Sequence, residues 1–184
     1  MGIINHQTNN TQALVKGSRP WLEQQSRNTR VTLLGMIAFT AVNIVLLITE
    51  ANRYFLFSAA LPYYLVAFGS FFSVLPDLQA SVIGLYAGAG VLILAYLLCW
   101  AFWKKHVAWS IAALSLFVID CGFMIWSYVG LPAEDLAQVA IDAVFHIWVL
   151  VVLVNGVRSG LKLRKLTAEE QPVPAQAVSQ GPEF

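Results

Sequence analysis

The chain has 184 residues, of which 58% are hydrophobic and 11% charged, with a net charge of +1 and a mean hydropathy of +0.67. Soluble domains carry about 25% charged residues, and one core of this size cannot hide so much apolar surface, so the bilayer has to be part of the solvent. The near-neutral balance offers no footprint for nucleic acid, and the two cysteines, Cys99 and Cys121, lack the C-x-x-C spacing of a thiol-redox motif or zinc knuckle.

Residues 1–30 are polar and read as a cytoplasmic arm, partly interfacial, with Pro20, Trp21 and Leu22 in a short segment anchored by Trp21. They hold no apolar stretch followed by a small-residue cleavage site, so the first hydrophobic helix is expected to be retained as the insertion signal.

Five apolar stretches follow, at 31–49, 54–75, 80–103, 107–129 and 136–157. A spanning helix needs about 20 apolar residues, so length admits all five. Charge placement selects among them, because Lys- and Arg-rich loops stay on the cytoplasmic side. If all five crossed, the 11 basic residues would divide four inside and seven outside; if the second does not cross, ten lie inside and one, Arg53, outside.

The second stretch is also the poorest span. Pro62 breaks a helix running through it, and Tyr54, Tyr63 and Tyr64 cluster as aromatic residues do at an interface. The expectation is therefore an all-α polytopic membrane protein. Four transmembrane helices at about 31–49, 80–103, 107–129 and 136–157 form a bundle. A re-entrant or interfacial helical segment, 54–75, lies on the outer face between the first and second spans. Tyr54, Pro62, Tyr63 and Tyr64 would form an outer lid. The transmembrane domain covers 31–166, and 167–184, rich in proline, reads as a disordered cytoplasmic tail. Both termini are then cytoplasmic, in a plasma (inner) membrane.

In the third stretch Gly84 and Gly88 stand four apart, a spacing that lets helices approach closely within one chain or between subunits. Gly156 and Gly160 repeat the spacing, but with Arg158 between them at the membrane edge they read as coincidence.

Three ionisable side chains fall inside the spans: Asp120, Asp142 and His146. A charged group at membrane depth costs at least about 2.5–3.5 kcal/mol on insertion scales, so such groups face the bundle interior and mark working sites. At 1.5 Å per residue, Asp120 and His146 both sit roughly 13 Å below the outer surface. Asp142 lies four residues before His146 and shares its helical face. Asn43, roughly 9 Å deep, could join them, with Glu50 at the mouth.

An acid–histidine pair at low dielectric can share a proton, as in the relays of pumps and transporters. Two carboxylates and an imidazole could also hold a divalent metal, although one histidine without a cysteine is a poor zinc set. The plainer reading is a hydrogen bond that fixes helix register, worth about 0.6 kcal/mol. No G-x-S-x-G, H-E-x-x-H or glycine-rich phosphate loop occurs. The expected function is a small transporter or channel-like subunit with a proton- or cation-linked polar site. The alternatives are an accessory subunit of a larger membrane complex or homo-oligomer, and a metal-assisted intramembrane enzyme.

Overall fold

The computed structural model describes residues 15–51, 57–129 and 136–170. Five α-helices, α1 (Arg19–Ile48), α2 (Ala60–Phe72), α3 (Gln79–Phe102), α4 (Val107–Ser127) and α5 (Leu136–Glu169), run in that order, with a single 3-10 turn at Pro76–Leu78 leading into α3. No strand occurs among the described residues. Four helices are long and apolar enough to cross a membrane, and α2, with 13 residues, is a shorter apolar helix. That composition is compatible with a multi-pass membrane protein.

Two helices extend well past the apolar stretches that announced them. α1 begins at Arg19, not near 31, and its 30 residues reach roughly 45 Å. Ser18 is its N-cap and Pro20 lies in its first turn, where a missing N–H costs nothing. Arg19–Glu23 and Gln24–Asn28 pairs one turn apart support the polar start. The expected short segment around Trp21 is therefore the first part of α1. Likewise α5 passes 157 and ends at Glu169, so 167–169 is helix and not tail. The reason is general: an apolar run measures only the part of a helix that meets hydrocarbon, and polar helical ends project beyond it. Arg19 Nη1 donates to Glu170 Oε2, which fixes the start of α1 and the end of α5 at one end of the bundle.

The core sits between α1, α3, α4 and α5. Leu33, Met36, Tyr96, Cys99, Trp103, Phe117, Val149 and Leu153 belong to it, and Phe117 is completely buried. Around it the pattern of a water-soluble protein is inverted. Ile83, Val91, Ile125 and Val144 are each more than 60% exposed, whereas Thr40, Asn43, Ser58, Asp120 and His146 are at most 1% exposed. Apolar residues outside and polar residues inside suit a hydrocarbon solvent.

Close helix approach is carried by two glycines, and they are not the expected pair. A Cβ on Gly156 of α5 would stand 2.6 Å from Thr29 Cγ2 of α1, and one on Gly69 of α2 would stand 2.7 Å from the Tyr86 ring of α3. Thr29 Oγ1 sits within reach of two carbonyls there, Gln25 of its own helix at 3.0 Å and Val152 of α5 at 3.2 Å. Gly156 is thus a packing residue and no coincidence. Gly88 meets Leu65 of α2 at an ordinary 3.5 Å, and Gly84 faces open space. Cys99 and Cys121 are unbridged.

Candidate functional site

The site is built around the start of α2. Ala59 is the N-cap in extended conformation, so the first-turn donors of α2 belong to Ala60 and Leu61. Pro62, the next residue, has no N–H. Helix termini leave such donors unsatisfied, and away from water each needs an acceptor. Asp120 of α4 supplies both: Oδ2 accepts from Ala60 N–H at 3.0 Å and Oδ1 from Leu61 N–H at 2.7 Å. Thr40 Oγ1 of α1 accepts from Ala59 N–H at 2.8 Å, and Asn43 Nδ2 donates to Ser58 Oγ at 2.8 Å. Three segments therefore meet at one buried helix N-terminus, whose partial positive charge faces the Asp120 carboxylate.

This geometry gives Pro62 a different part from the one its sequence suggested. The helix does not run through Pro62 and break; it starts two residues earlier. At that position proline removes the one first-turn donor that Asp120 could not serve. The chain enters at depth, too. Thr40 lies eight residues before the end of α1, so the N-terminus of α2 sits roughly 12 Å inside that end of the bundle. From there α2 runs antiparallel to α3, as the Leu65–Gly88 and Gly69–Tyr86 contacts require.

His146 of α5 forms the other wall. Its Nε2 stands 3.4 Å from Asp120 Oδ2 without a hydrogen-bonding geometry, and its Nδ1 meets the Asp142 carbonyl at 2.9 Å. Asp142 Oδ1 lies 3.4 Å from the same Nδ1, while Asp142 Oδ2 accepts from the Tyr128 hydroxyl at the end of α4. Phe117 stacks on the imidazole, with ring centroids 5.5 Å apart and an interplanar angle of 12°. Phe145 meets it edge-on at 5.8 Å. The imidazole is thus held between two carboxylates and two aromatic rings, all buried.

A carbonyl oxygen only accepts, so the 2.9 Å contact places a proton on Nδ1. A neutral imidazole would then turn its Nε2 lone pair toward the Asp120 carboxylate. An additional proton between Nε2 and Oδ2 converts that opposition into a charge-assisted contact. What this arrangement can do chemically is hold one proton next to a helix N-terminus.

Of the residues singled out in the sequence, the structure brings Asp120, Asp142 and His146 together, with Asn43 attached through Ser58. Glu50 is not among them. It is exposed, with φ +54°, and stops α1: Glu50 N–H bonds Leu47 O at 3.1 Å and Ala51 N–H bonds Leu46 O at 2.9 Å. Its backbone part is a helix stop. Tyr63 and Tyr64 lie on α2, ring against ring at 5.7 Å, and Tyr64 reaches Phe123 of α4 at 5.8 Å. Tyr54, Arg53 and the α4–α5 connection with Glu134 and Asp135 lie outside the described residues. Among the described residues, no three His, Cys, Asp or Glu side chains converge as a metal set.

No family model matches the chain, and neither does any curated protein or solved structure.

Thr40, Ser58 and Tyr128 were missed in the sequence. Ser58 carried a usable signal, since a serine shortly before Ala60-Leu61-Pro62 is the composition of a helix start. Thr40 and Tyr128 carried none.

Proposed function

We propose that this protein is a small proton-linked transporter or channel-like subunit of the plasma membrane, and that α2 is its moving part. In this reading the basic ends are cytoplasmic, four helices cross, and 57–72 enters from the outer face and returns as α2. The carrying observation is that both oxygens of Asp120 hold the first-turn amides of α2 while Oδ2 also faces His146 Nε2. Docking of α2 and proton occupancy are then one equilibrium.

With a proton on His146, the Asp120 carboxylate is balanced by the imidazolium and by the helix N-terminus. If the proton moves to Asp120, the charge that holds the two amides is lost. If it leaves the site, the imidazole lone pair faces a carboxylate. Either change weakens the hold on α2, and movement of α2 opens a path beside Asp120. Half-helices whose N-termini meet an anion at depth serve transporters in this way, with irregular backbone tolerated where protein buries it.

The test is proton flux in proteoliposomes carrying an entrapped pH dye under an imposed pH gradient. Wild-type protein is expected to move protons faster than protein-free vesicles, and Asp120→Asn to abolish the excess while inserting normally. Equal flux from wild type and Asp120→Asn rejects the reading.

One observation favours an accessory or assembly subunit instead. Ala80, Gly84 and Ala87 form an exposed small-residue face on α3, with open space at Gly84. On that reading Gly84→Leu removes co-purification with a partner or a second copy and leaves proton flux unchanged.

A further inference from the structure

At the end of the bundle away from the start of α2, a cavity of about 1200 Å³ opens between the first turns of α1, the α3–α4 connection and the last turns of α5. Arg27, Lys104, Lys105 and Arg164 line it, with His106 beside them. Glu23 is the one acidic lining residue, and it is bound to Arg19 at 3.2 Å. Among the described residues the four cations make no ion pair: Arg27 donates to the neutral Gln24, and Lys105 lies over the Phe102 ring at 5.0 Å. Four like charges converging on one cavity repel each other, and an anion relieves that repulsion.

The surroundings define the anion. Trp103 forms part of the wall and is fixed by its Nε1–H donating to Ser26 Oγ at 3.0 Å. Trp100 and Trp109 pack against the core cluster to which Trp103 belongs, the aromatic composition of a membrane border. Above the cavity the helices turn outward-facing apolar residues to the solvent, so a ligand seated here has hydrocarbon on one side and water on the other. Val107 and Ala108, the first turn of α4, also line it, and the His106 side chain does not cap them. The start of α4, with the partial positive charge of a helix N-terminus, therefore borders the same space.

We infer that this cavity binds the phosphate headgroup of an anionic phospholipid, and that its four cations favour a headgroup with two phosphates over one. Basic pockets between transmembrane helices take such headgroups. The inference is independent of the proton site, because none of its residues touches Asp120 or His146. A free phosphorylated solute shares the headgroup's chemistry, and the test separates the two sources.

Full-length protein in nanodiscs of neutral phosphatidylcholine would be titrated with cardiolipin, with phosphatidylglycerol and, separately, with pyrophosphate in solution. Bound lipid is read by native mass spectrometry. Cardiolipin is expected to bind more tightly than phosphatidylglycerol, with affinity falling as salt rises. K104Q/K105Q and R164Q are expected to weaken it by about fivefold for each cation removed. K162Q, on the same helix outside the cavity, serves as the control and retains wild-type binding. Equal retention of cardiolipin and phosphatidylcholine overturns the inference. Displacement of cardiolipin by micromolar pyrophosphate overturns it as well, since the site would then belong to a soluble anion. If K104Q/K105Q fails to fold, R164Q alone carries the same comparison.

Discussion

Asp142 and His146 stand one turn apart on α5, and the Asp142 carbonyl accepts a hydrogen bond from His146 Nδ1–H at 2.9 Å. The same residue that supplies a buried carboxylate therefore also fixes the tautomer of the imidazole. That leaves Nε2 as the atom that gains or loses a proton against Asp120. Nitrogen NMR of His146-labelled protein is expected to show the proton of the neutral imidazole on Nδ1, with no tautomer protonated on Nε2 alone. Replacement by Gln, whose amide donates at every pH, is expected to keep α2 docked and remove the pH dependence of its protection from exchange.

Asp120 is the acceptor for two buried amides, and leaving each without a partner costs about 1–3 kcal/mol. Asp120→Ala is expected to lower stability by a few kcal/mol in a denaturant titration of purified protein. Asp120→Asn, which retains one carbonyl oxygen, is expected to fall between the two. Stability unchanged in Asp120→Ala would mean that α2 does not depend on this carboxylate.

Thr40→Ala removes the acceptor of the Ala59 N–H and nothing charged. A loss of about 1–3 kcal/mol is expected, with the pH dependence of α2 protection unaltered. The contrast with His146→Gln separates holding α2 from sensing the proton.

The α1–α5 contact has its own test. A methyl on Gly156 would meet Thr29, whose Cβ lies 2.9 Å from the added atom and belongs to a β-branched side chain that cannot swing away. Gly156→Ala is expected to cost about 1–3 kcal/mol, the usual range for overpacking. Adding Thr29→Ala is expected to recover part of it. Gly84→Ala, with nothing near the new atom, is expected to match wild type in thermal unfolding in detergent.

Much of the candidate site was legible because depth follows from counting. Asp120 lies nine positions before 129 and His146 nine positions after 137, which puts the two side chains at matching depths. Charge placement set 54–75 apart for an equally simple reason, since one crossing more or less moves every later basic residue to the other side. The rest depended on contacts no local pattern encodes. That Asp120 would spend both oxygens on Ala60 and Leu61 follows only once the chain has turned back on itself. The left-handed backbone with which Glu50 ends α1 cannot be read from its residue type. Gly84 and Gly88 matched a motif, yet Gly156 and Gly69 make the close contacts. Spacing shows where a helix could approach, and the partner's side chain, Thr29 or Tyr86, decides whether it does.

Amide exchange at Ala60 and Leu61 in the reconstituted protein bears most directly on whether Asp120 holds the start of α2. Both amides should exchange as slowly as those in the middle of α3 in wild-type protein, and much faster in Asp120→Ala. Fast exchange in wild type, or the same slow exchange in both proteins, would contradict the account.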